Sequence, residues 1–131
     1  MIAEAKPGRI SLTPMLTYKG KLYGDLTVAC FDENEFMVFG SGAVQEMHRR
    51  WFENHLKDFN VIYKNRSDDF HGLALSGPKS RELLQKLVRE NISNENFKFG
   101  TGKFVKINSK KVWAQRLSYV GELGFEIYVN S

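Results

Sequence analysis

The sequence predicts an α+β fold, a largely antiparallel sheet with two main helices, and two observations carry that expectation. Apolar residues alternate with polar ones in several short runs toward both ends of the chain. Two stretches between those runs switch to helical spacing. Strands, helix, strands, helix and strands in that order place helices on one face of a sheet, and a ferredoxin-like arrangement is expected.

Residues 9–18 read as extended, with Ile10, Leu12 and Leu16 at alternate positions. Lys19-Gly20-Lys21 makes a turn into a second strand over 22–31, which carries Leu26, Val28 and Cys30 on one face. A turn at 32–34 leads to a third strand at 36–39, so the chain opens as a meander. Val44, Met47, Trp51 and His55 recur at helical spacing and predict a helix over 43–56. Short strands are expected at 61–64 and 72–76. A second helix begins near Pro78, a favourable first helical position, and is expected to bury Leu83, Leu84, Leu87 and Val88. Strands at 104–107, 112–119 and 125–130 complete the pattern. Trp51, Trp113 and most phenylalanines belong to the expected core. No repeat, linker or low-complexity tract divides residues 1–131, which read as one domain.

A chain of 131 residues, 42% hydrophobic and 13% aromatic, can bury an ordinary core. No apolar stretch approaches the roughly 20 residues that span a bilayer, so no membrane partner is expected. Residues 1–8 read as a polar lead-in and not as a signal peptide. A single cysteine, Cys30, excludes an internal disulfide framework and points to a reducing cytoplasm. The net charge of +4 is spread in small basic pairs among acids, without the basic stripe that nucleic-acid binding requires.

Several local features have plain structural readings. Gly40-Ser41-Gly42 resembles the start of a phosphate-binding loop, but Gln45 takes the place of its third glycine, and a strand-to-helix turn explains it. His48 and His55 lie seven apart on a helix, too far to share a metal ion, and His71 adds no pattern. Asp68 and Asp69 read as a turn. Two acids are harder to dismiss. Asp25 follows Tyr23-Gly24 on a strand with an apolar alternate face, where a carboxylate is either structural or a useful charge at the rim of a core. Glu126 follows a bend with Gly121 and Gly124, opposite Phe125, Ile127 and Val129 on its strand. It either faces water or meets a ligand carrying N–H donors.

Three segments in register extend this reading. They are Thr13-Pro14-Met15-Leu16 with Tyr23-Gly24-Asp25-Leu26-Thr27-Val28, then Ala74-Leu75-Ser76-Gly77-Pro78-Lys79, then the stretch from Arg116 to Glu126. From about Leu12 onward the chain resembles the tetrahydrofolate-binding aminomethyltransferase family: the glycine cleavage system T protein and the folate domain of dimethylglycine and sarcosine dehydrogenases. The first segment looks closer to the dehydrogenase branch. Gly24 stands where the T protein has the first aspartate of a pair, and Leu12 where several relatives have a tyrosine.

The resemblance implies one-carbon (aminomethyl or methylene) transfer to tetrahydrofolate; the dehydrogenases also carry a flavin domain, but this chain has no flavin fingerprint, and its histidine spacing gives no metal site. It implies that Asp25 assists the chemistry near the reacting folate nitrogens. Glu126 and Tyr119 match residues that hold the pterin, Ser41 a polar ligand contact, and Arg116 the opening arginine of the motif. Relatives have further segments on both sides of the matched region, so the chain looks like a partial version of the domain. A flavoprotein dehydrogenase or a second copy is the implied partner. The alternative is a non-catalytic folate-fold remnant or interaction subunit that needs a partner chain.

Overall fold

Two antiparallel sheets turn one face toward each other, and that shared layer positions the candidate site. The computed structural model describes residues 6–131, so most of the lead-in expected at 1–8 lies outside the described residues. The first sheet pairs β1 (Ile10–Leu16), β2 (Leu22–Asp32) and β3 (Glu35–Phe39) in the order β1-β2-β3. The second comprises β4 (Phe70–Ser76), β5 (Thr101–Ile107), β6 (Lys110–Arg116) and β7 (Gly124–Asn130) in the order β4-β7-β6-β5. The α+β class and the antiparallel pairing are as expected, but the strands are divided between two sheets instead of gathered in one ferredoxin-like sheet.

Local chemistry accounts for the hairpins. Asp32 accepts the backbone N–H of Glu33 through Oδ1 at 2.6 Å, which tightens the β2–β3 turn. The β5–β6 turn rests on Asn108 and Ser109, with φ of 47° and 69°. Positive φ at both central residues is the two-residue turn whose twist suits antiparallel strands.

One helix is long. α1 (Gln45–His55) follows a single 3-10 turn, and Arg49 on its exposed side bonds both Glu46 and Glu53. The second helix is shorter than expected: α2 runs only Ser80–Gln85. Beyond it the Gln85 side chain donates to the carbonyls of Val88 and Glu90 and accepts the N–H of Ile92, so local side-chain bonds replace further helical ones. Leu84 and Val88 are buried as expected, but Leu83 and Leu87 are not; each is 49% exposed, because only the i, i+4 pair faces the sheet.

The strand expected at 61–64 is absent. Ile62 is fully exposed, and Tyr63 is held by stacking on Phe52 of α1, at 5.3 Å between ring centres. Three apolar residues in a row have no alternating pattern with which to join a sheet. Of the rings expected in the core, Trp113, Phe97 and Phe125 are buried. Trp51 is half-buried, and Phe36, on an edge strand, and Phe59 and Phe99, in connections, are exposed. Asp68 and Asp69 do lie in a turn, with Arg66 bonded to Asp69.

Alternation gives the second sheet two different faces. Val105, Val112, Ala114, Phe125 and Ile127 pack with Leu84, Val88, Ile92 and Phe97 on one side. On the other, Trp113 packs with Ile10 and Ala29, flanked by Phe31, Phe39 and Tyr128. Phe31 lies 4.2 Å from Trp113, and Phe39 lies 4.2 Å from Tyr128, between ring centres. Glu126 shares this second face, because it alternates with Phe125 and Ile127 on β7.

Candidate functional site

The β6–β7 register sets Gln115 opposite Glu126 and Trp113 opposite Tyr128. The four side chains form one chain of hydrogen bonds. Trp113 Nε1 donates to Gln115 Oε1 at 3.0 Å, and Gln115 Nε2 donates to Glu126 Oε2 at 2.7 Å. The hydroxyl of Tyr128 donates to the same Oε2 at 2.8 Å. Gln115 is completely buried and Glu126 half-buried, so Glu126 is not the solvent-facing hairpin acid that its sequence context also allowed. Burial, followed by the charge and hydrogen bond of Glu126, pushes the Tyr128 phenol well above its ordinary value. Tyr128 therefore remains a donor throughout the neutral range.

The ring of Tyr128 lies against Gly72, where a Cβ would come within 2.9 Å of Cε1; a side chain at that β4 position would push the ring off the sheet. That ring also forms part of the wall of a cavity of about 640 Å³ between the two sheets, α1 and the segment at 62–67. Phe39, Trp113 and Tyr63 give the cavity apolar walls, while Ser41, His48 and Arg66 add polar groups. His48 is 7% exposed and its Nε2 has no partner among the described residues. It packs over Gly24 of β2 and Gly40, just past β3, whose missing side chains leave room: a Cβ at either would lie within 3.0 Å of an imidazole nitrogen.

The expected site residues are distributed unevenly around this arrangement. Ser41 lines the cavity, and Glu126 is joined to its wall through Tyr128. Asp25 is exposed on β2, opposite Pro14 of β1; alternation puts it on the side of β2 that carries Ala29 and Phe31, the side turned to Trp113. Arg116 is half-buried, and its Nη1 donates to the carbonyl of Phe97 at 2.8 Å. Tyr119 is fully exposed on the connection at 117–123. In that bend Gly121 takes φ 79°, and Gly124 comes so close to the Leu117 carbonyl that a Cβ would sit 2.7 Å away. The glycines thus let the loop close on its own backbone.

Gln115 and Tyr128 belong to the site although no sequence motif marks them. Their signal was present: each alternates with core positions on its strand, and pairing the last two strands in register puts Gln115 beside Glu126. The seven-residue connection hid that register.

The cavity suits a flat ligand resting against aromatic walls, and the Glu126 carboxylate lies behind one of those walls, hydrogen bonded to Tyr128. Among the described residues, no cluster of three His, Cys, Asp or Glu side chains is placed to hold a metal ion. The GCVT N-terminal domain family matches residues 1–131. The chain belongs to that family. Human mitochondrial dimethylglycine dehydrogenase is 39% identical over 126 residues, covering 94% of this chain and 14% of the relative. An aminomethyltransferase of Natranaerobius thermophilus is 32% identical over 130 residues, covering 99% of this chain and 35% of the relative. One from Clostridium botulinum (strain Okra) is 36% identical over 123 residues, covering 94% and 33%. The chain therefore spans between 14% and 35% of the length of these relatives.

Proposed function

We propose that this GCVT N-terminal domain takes part in tetrahydrofolate-dependent one-carbon transfer. The observation that carries the reading is Glu126, half-buried, hydrogen bonded by Gln115 and Tyr128, and next to an aromatic-walled cavity. A fixed carboxylate accepts an N–H donor from the pterin, while the neighbouring rings exclude water from its flat faces. Tetrahydrofolate supplies the amine nitrogen that receives the one-carbon unit. Asp25 supplies a negative charge that stabilises the cationic donor and receives a proton as the transfer proceeds. Ser41 offers a hydroxyl at the cavity wall, Arg116 fixes the start of the bend, and Tyr119 meets ligand from the exposed side of the loop. The lone, buried Cys30 supports a reducing compartment, the cytoplasm in this reading.

Titration calorimetry with tetrahydrofolate tests the proposal on the wild type, Asp25→Asn and Glu126→Gln. Binding by the wild type, weakened at least tenfold in Glu126→Gln, supports it. A folded wild type that takes up no ligand at millimolar concentration removes it.

A second reading rests on a different observation. Leu12, Leu16 and Leu22 of the first sheet are 71%, 50% and 67% exposed, an apolar edge suited to a partner. In this reading the domain is an interaction subunit that pairs with a second copy or a flavoprotein dehydrogenase. Sedimentation analysis separates the two: a monomer that binds folate argues for the first.

A further inference from the structure

Internal donors occupy one oxygen of Glu126 and leave the other open. The order of the bonds is forced by chemistry. An indole N–H only donates, so Trp113 requires Gln115 to turn its amide oxygen toward the ring. The amide NH₂ of Gln115 must then point at Glu126, and it meets Oε2. Tyr128 brings a second donor to the same atom. Complete burial of Gln115 and near-complete burial of Trp113, at 4% exposed, leave this relay little freedom to turn over. Oε1 has no partner among the described residues and is not among the buried unpaired atoms, so it is not fully sealed from solvent.

We propose that Tyr128 and Gln115 are positioning residues that hold the Glu126 carboxylate turned so that Oε1 alone is offered to a ligand N–H. The assignment of the ligand as a pterin rests on the one-carbon-transfer reading; the positioning itself does not. A carboxylate has about four acceptor directions, and two donors on Oε2 leave little room there for a third. Recognition by Glu126 is then through one strong, charge-assisted bond at Oε1, not through a two-pronged clamp across both oxygens. Tyr128 matters twice, because its ring is also part of the cavity wall.

A double-mutant cycle tests this on the full chain, with tetrahydrofolate as probe and Glu126→Gln, Tyr128→Phe and the double variant as proteins. Tyr128→Phe keeps the ring and removes only the hydroxyl. It is expected to raise Kd by about tenfold with the cavity wall intact, and Glu126→Gln by more. In the Glu126→Gln background, Tyr128→Phe is expected to cost nothing further, since the hydroxyl acts through the carboxylate. A purely structural role for Tyr128 would give the same loss in both backgrounds and overturn the proposal. Loss in Glu126→Gln with none in Tyr128→Phe overturns the positioning and leaves the folate reading intact. Wild-type affinity in Glu126→Gln overturns both. A measurement without ligand decides the positioning independently: the Gln115 side-chain amide protons should be protected from water exchange in the wild type and shift in Glu126→Gln. Free exchange of those protons in the folded wild type shows that the relay is not formed.

Discussion

Gln115 stands directly across the β6–β7 pair from Glu126, and its amide reaches the carboxylate at 2.7 Å while its oxygen receives Trp113 Nε1 at 3.0 Å. Both ends of a completely buried amide are therefore committed. Replacing Gln115 by Leu leaves the buried indole N–H unpaired and removes a donor from the Glu126 carboxylate. The expected cost is about 2–4 kcal/mol, the range for stranding a buried polar group beside a lost charge-assisted bond. Urea denaturation measures it. A cost under about 0.5 kcal/mol would mean the relay contributes nothing to the fold.

Tyr128 predicts an alkaline signature. Burial and the Glu126 charge raise its folded-state pKa above the unfolded value, which is about 10. The folded chain then holds a proton that the unfolded chain loses, so this contribution to stability is fully present below pH 10 and declines above it. The slope is less than about 1.4 kcal/mol per pH unit, since the side chain is only partly buried. Urea midpoints for wild type and Tyr128→Phe between pH 8 and 11 isolate the effect. The difference between the two proteins should be constant to pH 10 and shrink beyond it; a constant difference throughout counts against the assignment.

The short second helix gives a packing test. Leu84 is fully buried against Val112, Phe125 and their neighbours, whereas Leu83 next to it is half-exposed. Leu84→Ala should cost about 2–5 kcal/mol through the cavity it leaves, and Leu83→Ala less than about 1 kcal/mol. Comparable losses at the two positions would mean that α2 is rotated from the orientation described here.

These residues also show where the sequence was readable. Strong alternation, as in Phe125, Ile127 and Val129, fixed strand and buried face together, because one-residue slips would turn the apolar set to water. The existence of α1 was legible from its periodic spacing, but its buried side chain is His48, not one of Val44, Met47, Trp51 and His55. Leu83-Leu84 and Leu87-Val88 gave two adjacent apolar pairs, and spacing alone does not say which member of each faces the sheet. Their orientation comes from the strands they pack on and from the bonds that Gln85 makes beyond the helix. Val61-Ile62-Tyr63 read as a strand by composition, but no sheet edge takes it up. Among the site residues, Glu126 was visible as the polar position on an apolar strand. Its partners were not, since they depend on a register across a seven-residue bend.

The β5–β6 turn offers a stabilising change. Ser109 adopts φ 69°, a left-handed angle that disfavours a residue with a Cβ, next to Asn108 at 47°. Ser109→Gly produces the asparagine–glycine pair preferred in such turns. It should raise stability by about 0.5–1 kcal/mol, read as a higher urea midpoint with an unchanged slope. A lower midpoint would show that the Ser109 side chain contributes more than its backbone angle costs.

Asp25 and Glu126 differ in surroundings, and their variants should differ in kind. Asp25 is exposed on β2, whereas Glu126 is half-buried in the Gln115–Tyr128 network. If Asp25 acts on developing charge, Asp25→Asn leaves the affinity for tetrahydrofolate within about threefold and lowers one-carbon transfer by two to four orders of magnitude, the range for losing a positioned acid–base group. Glu126→Gln, by removing a contact made before and during transfer, weakens binding itself. Calorimetry on the free ligand and single-turnover transfer, measured on the same two variants, separate the roles. Equal losses of affinity in both would place Asp25 in ligand binding, because a group that acts only on developing charge has nothing to stabilise before transfer begins.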